Sequence, residues 1–191
     1  MTTLLSDVVA DPGCWSLGSL KPGKFVSTQH LRFRGQAAPM IQLVPSGDVV
    51  EVRVPFAPSV FKGQGDEPRK GIVFSVSDQV AQHILLLEEI VREQLRPSCP
   101  QIDAIWHSCL RVRSGFPPSF RAKIWLQGLD PCKFFSEQGQ RVEQPQDWSG
   151  LSCLPLISVA AYTQKKSAGL LVDVKALMVG SKRSSSFSFL P

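Results

Sequence analysis

Residues able to do covalent or acid–base chemistry are few and scattered. Three histidines (His30, His83, His107) and five cysteines (Cys14, Cys99, Cys109, Cys132, Cys153) are spread over 191 residues. The cysteine count is odd and no two form a CxxC pair, so neither a disulfide framework nor a zinc ribbon is indicated. They read as free thiols, largely buried, in a reducing compartment. His83 falls beside an apolar helical stripe and reads as helix surface, not as a ligand. His107 and Cys109 would share one face of a strand, as a base and its nucleophile might, but no third group orients them. Glu88 and Glu89 are adjacent on a helix, so they diverge, and a solvated face accounts for both. P-loop, GxGxxG, GxSxG and HExxH patterns are absent. The expectation is a non-enzyme with no catalytic residue, no metal and no cofactor.

Binding is what the residue types favour instead. Over residues 119–127, Phe120, Ala122, Ile124 and Leu126 form one face, and Arg121, Lys123 and Trp125 the other. Any barrel strand has an apolar inner face. An outer face of two cations and a tryptophan suits single-stranded nucleic acid, whose bases stack on the indole while cations follow the phosphates. A neighbouring strand over 105–113 adds His107, Arg111 and Arg113, on the face it shares with Ile105 and Cys109. Phe116 lies in the hairpin loop between the two. Lys165 and Lys166 at a second hairpin tip, and Arg32 and Arg34 on an early strand, complete the candidate set. The competing reading is that these cations merely decorate a solvated sheet, with Trp125 under a loop.

Charge is segregated in the same sense. Lys and Arg total 21 against 16 Asp and Glu, a net charge of +5 with pI near 9.1. Residues 105–141 hold six basic and two acidic side chains, whereas residues 48–96 hold six basic and eight acidic ones. The basic excess therefore lies outside the helix-containing middle, and an anionic partner is favoured. Helix-turn-helix, zinc-finger and RRM motifs are not evident, so binding would follow shape and charge more than base identity.

The elements that must carry these residues are mostly strands. Alternation marks residues 29–34, 40–44, 49–56 and 71–77, with a turn at 45–48. Residues 78–96 are the one clear helix. Val80, Ile84, Leu87, Val91 and Leu95 make its apolar stripe, Asp78 is its candidate N-cap, and Pro97 stops it. Strands resume at 105–113, 119–127, 133–135, 152–163 and 168–179. The organisation expected is a loosely ordered lead-in over 1–24, one β-rich domain over 25–180 and a flexible tail over 181–191. Short strands with one embedded helix indicate a small, partly open barrel of the OB type, with a jelly-roll sandwich as the alternative. The N-terminus has no basic region before an apolar run, and no run reaches the ~18 residues of a membrane span. An intracellular protein is expected, nuclear or cytoplasmic, not secreted and not membrane-bound.

The order of these features resembles the OB-fold single-stranded DNA-binding proteins of large eukaryotic DNA viruses and some phages. The resembling parts are Val54-Pro55-Phe56 ending an early strand, residues 71–77 running into the helix, and Phe120–Trp125 as a basic strand. Residues 155–162, Lys165-Lys-Ser-Ala-Gly-Leu170 and residues 172–179 also fit. The resemblance implies a protein that coats single-stranded DNA during replication, recombination or repair, with Arg121, Lys123 and Trp125 in the binding groove. A homo-oligomer and contacts with replication proteins are compatible with it. The chain departs from the family at its end, where residues 181–191 are basic and aromatic instead of acidic. A self-assembling coat-like subunit and a protein-interaction module are the alternative functions.

Overall fold

The computed structural model describes residues 2–23, 26–44, 52–59 and 68–180. In chain order the elements are β1 (Thr2–Leu4), α1 (Leu5–Ala10), β2 (Trp15–Leu17), β3 (Ser27–Phe33), β4 (Gln36–Ala37), β5 (Met40–Gln42), β6 (Arg53–Val54) and β7 (Arg69–Ser75). There follow α2 (Asp78–Leu95), α3 (Ile102–Ile105), β8 (Trp106–His107), β9 (Leu110–Arg113), β10 (Phe116–Trp125), β11 (Lys133–Ser136), β12 (Arg141–Val142), β13 (Leu151–Gln164) and β14 (Ser167–Val179). The turn anticipated at 45–48, the start of the strand anticipated at 49–56 and the 181–191 tail lie outside the described residues.

Five strands close a barrel. β6 pairs with β7, β7 with β10, β10 with β14, β14 with β13, and β13 returns to β6. Numbered along the chain, the barrel strands run first, second, third, fifth, fourth and back to first, with the third and fifth parallel. This is the five-stranded Greek-key barrel of the OB type, and closure rules out the jelly-roll sandwich. The seam at β6 is thin, with Arg53 opposite Ser75 on one side and Ser152 opposite Arg53 on the other. Inward positions alternate as a barrel requires. Phe120, Ala122 and Ile124 of β10 meet Ile72 and Phe74 of β7, and Phe74 stacks on Phe120 with ring centroids 6.3 Å apart. β13 and β14 supply Ile157, Val159, Ala161, Leu170, Val172 and Val174 from the other side.

α2 lies between the second and third barrel strands and buries the stripe read from its sequence: Val80, Ile84, Leu87, Val91 and Leu95. Its N-cap is Ser77, not Asp78: the Val80 amide donates to Ser77 Oγ at 3.3 Å, and Ser77 has the extended backbone of a cap. Glu88 is not on a solvated face but buried, a second correction taken up below.

Residues 2–17, read as a loose lead-in, are built into the body. Leu5 and Val8 of α1 are fully buried, and Trp15 donates its indole N–H to the Val8 carbonyl at 2.6 Å while packing on Phe33. Gln94 of α2 donates to the Trp15 carbonyl and ties this layer to the helix. The period of α1, six residues long, is too short to register as a helical pattern.

The strand expected over 105–113 is broken into α3, β8 and β9. The break at Ser108–Cys109 shifts the side-chain alternation, so Cys109 is buried while Arg111 and Arg113 are exposed. Cys109 therefore does not share a face with the exposed His107. Burial, reinforced by the Glu88 carboxylate, pushes the Cys109 thiol well above its ordinary range, so the pair is no nucleophile and base.

Candidate nucleic-acid interface

The outward side of β10 carries Arg121, Lys123 and Trp125, as its alternation requires. Register fixes their neighbours. Across β7, Arg121 faces Val73, Lys123 faces Gly71 and Trp125 faces Arg69. Across β14, Lys123 faces Asp173. The Arg69 guanidinium lies over the Trp125 ring, 5.7 Å from its centroid, and donates to Asp173 Oδ1 at 2.7 Å. Trp125 is thus a half-buried platform, held on one side by a cation whose other end is tethered.

At the other end of β10 the cations crowd. Arg111 of β9 pairs in register with Ser119, and Arg113 with Phe116 across the Ser114–Gly115 turn. Gly115 has φ +79°, the left-handed conformation that lets a two-residue turn reverse the chain. Phe116 is therefore the first residue of β10, not a loop residue, and is 70% exposed at the hairpin tip. Burial, together with the nearby Arg111 and Arg113 guanidinium groups, pulls the pKa of Arg121 below its usual value. None of these three arginines pairs with a carboxylate among the described residues.

The outer face continues over β14 and β13. Tyr162 sits opposite Gly169, and a Cβ at Gly169 would lie 3.1 Å from the tyrosine ring and 2.6 Å from the His107 carbonyl. The ring thus covers the glycine, and β8, with exposed His107, runs alongside. Lys165 and Lys166 are exposed in the turn just beyond, in the loop between the fourth and fifth barrel strands. OB-folds bind oligonucleotides on the face of their second and third strands and on this loop; here those are β7, β10 and the Lys165–Lys166 turn.

Two candidates are not brought to β10. Arg32 lies on β3, separated from β10 by β13 and β14, with its stem over Gly18. Arg34, in a turn with φ +48°, lies beside the Phe33 ring and pairs with Asp11 at 3.4 Å. Three members of the face escaped sequence reasoning. Arg69 and Asp173 are 104 residues apart, and their meeting depends on β10 lying between their strands. Tyr162 alternates outward on β13 and was legible in principle, but its neighbours Ala160 and Ala161 masked the period.

No family model matches the chain, and no curated protein does. Among solved structures, it is similar to the single-stranded DNA-binding protein gp2.5 encoded by bacteriophage T7. The identity is 12% and the TM-score 0.53, over 69% of this chain and 83% of that one. It shares its fold with a phage single-stranded DNA-binding protein. The single-stranded DNA-binding protein of bacteriophage Enc34 also matches, without its C-terminus (11% identity, TM-score 0.46, 86% and 94% of the two chains) and in complex with single-stranded DNA (11%, 0.44, 86% and 94%).

Proposed function

We propose that this protein binds single-stranded nucleic acid, DNA by preference, along the outer face of β7, β10 and β14. It binds without catalysis and coats strands during replication, recombination or repair. The observation that carries this reading is the crowding of Arg111, Arg113 and Arg121 on one exposed face with no carboxylate partner among the described residues; burial and these two neighbours together pull the Arg121 pKa down. A fold does not gather like charges without a carboxylate among them for its own stability; a row of phosphates relieves the repulsion and releases counterions. The Arg69–Trp125 platform at the same face supplies the base-stacking half of such a site. The fold shared with gp2.5 supports DNA as the partner.

The test is anisotropy titration of labelled oligo-dT and of a duplex of equal length at low and moderate salt. The reading expects tighter binding to the single strand and a steep loss of affinity with salt. Equal binding to both forms, or none at low salt, would sink it.

A further inference from the structure

Among the described residues Glu88 is the one buried charged side chain, 2% exposed, and nothing on the binding face touches it directly. Its partners all come from one short segment. Oε1 accepts from the Cys109 amide at 2.8 Å and from Ser108 Oγ at 3.1 Å; Oε2 accepts from Trp106 Nε1 at 3.4 Å. Ser108 Oγ also accepts from the Leu110 amide at 3.0 Å. A helix stripe of this kind ordinarily carries an aliphatic residue at such a depth; a carboxylate is retained there only with donors to satisfy it.

The segment it holds fills a fork in the barrel. β10 and β14 pair at Lys123–Asp173 and Ile124–Val174. Beyond that point β14 takes β8, through Ala168–Trp106 and Gly169–His107, while β10 takes β9, through Ser119–Arg111 and Phe120–Leu110. The Arg121 amide donates to the Cys109 carbonyl at 2.8 Å. One stretch of chain thus serves both arms of the fork, and it can do so only by bending at Ser108–Cys109. That bend is the point Glu88 grips from the core side.

We infer that Glu88 is a positioning residue for the nucleic-acid face. By latching the bend at Ser108–Cys109 it anchors the start of β9 against β10 and so holds Arg111 and Arg113 beside Arg121. This inference rests on the function proposed above. Without the latch the fork segment is free to straighten, which draws Cys109 out of the core and pulls β9 off β10, so that Arg111 and Arg113 no longer lie beside Arg121.

The experiment compares the full chain with Glu88→Ala, Glu88→Gln, the Arg111→Ala/Arg113→Ala pair, and that pair combined with Glu88→Ala. Oligo-dT affinity is measured from 50 to 200 mM NaCl. Glu88→Ala should lower the salt slope by about 1.4, at about 0.7 per displaced arginine for single strands. Adding the arginine substitutions to it should lower the slope no further. Glu88→Gln keeps an acceptor for Cys109 and Ser108 but opposes Trp106 with an amide N–H, and should fall between wild type and alanine. Amide exchange over 106–113 should quicken in the same order while α2 stays protected. A Glu88→Ala chain with a lowered Tm but the wild-type slope, or slopes that simply add, would reduce Glu88 to packing and overturn the inference. If Glu88→Ala does not fold, Glu88→Gln decides, and identity with wild type in both slope and exchange overturns it. If wild type binds no oligonucleotide, the proposed function fails. Exchange then tests the latch alone: faster exchange at 106–113 in Glu88→Gln supports it, and unchanged exchange refutes it.

Discussion

Replacing Arg111, Arg113 and Arg121 together by alanine separates a binding surface from surface decoration. Each phosphate contact on a single strand contributes about 0.7 to the slope of log affinity against log salt. Three contacts contribute about 2.1, so between 50 and 200 mM salt the wild type should lose roughly 18-fold more affinity than the triple variant. The cost to the fold runs the other way. Burial and the two neighbouring guanidinium groups lower the pKa of Arg121, so in the folded chain its charged form is disfavoured and removing the charge forfeits no stabilisation. The triple variant should therefore keep the wild-type Tm or exceed it slightly, while binding more weakly and with a salt slope lower by about 2.1. Oligo-dT anisotropy at four salt concentrations, with thermal melts alongside, reads both. A triple variant with the wild-type slope would refute the reasoning, because the crowded arginines would then contact no phosphate.

Trp125→Ala removes a stacking platform whose loss costs about 1–3 kcal/mol per base, so affinity should fall roughly 5- to 150-fold with little change in salt slope; unchanged affinity in a titration would exclude stacking there. Gly169→Ala would place a methyl group 2.6 Å from the His107 carbonyl, so β8 must shift and a melt should show a lower Tm; an unchanged Tm would mean the β8–β14 contact yields freely. Burial raises the thiol of Cys132 to about 12 and pushes Cys153 and Cys109 upward too. At pH 8, four units below that value, roughly one Cys132 in ten thousand is thiolate, and the fraction grows only as pH climbs toward 12. A thiol reagent at pH 8 should label half-buried Cys99 in the native chain, Cys14 more slowly because its thiol donates to Asp11 and is raised by it, and the other three only on unfolding; rapid native labelling of all five would contradict this.

Much of the fold was legible because local period and tertiary burial agree. The β10 alternation, the α2 stripe and the long β13–β14 hairpin are each long enough to announce themselves. What stayed hidden depends on partners distant in sequence. The break at Ser108–Cys109 is unreadable without Glu88, some twenty residues earlier, whose carboxylate outcompetes strand continuation. The apparent pairing of His107, Cys109, Arg111 and Arg113 on one face was right for the arginines and wrong for the cysteine for that reason. Arg69 lies outside the strand expected at 71–77 because β7 begins two residues before the apolar run, with Arg69 and Lys70 ahead of its first buried residue, Ile72. Residues 2–17 looked loose because prolines and glycines separate their few apolar residues, yet Leu5, Val8 and Trp15 reach the core.

The most direct test of the central claim uses the emission of Trp125, isolated by subtracting the Trp125→Phe chain, during titration with oligo-dT and with duplex DNA at 50 and 200 mM salt. If the outer face of β7, β10 and β14 binds single strands, oligo-dT quenches this emission at 50 mM, higher salt reverses it, and the duplex does far less. Binding seen by anisotropy with Trp125 emission unmoved would place the site elsewhere, and no binding at 50 mM salt would contradict the account outright.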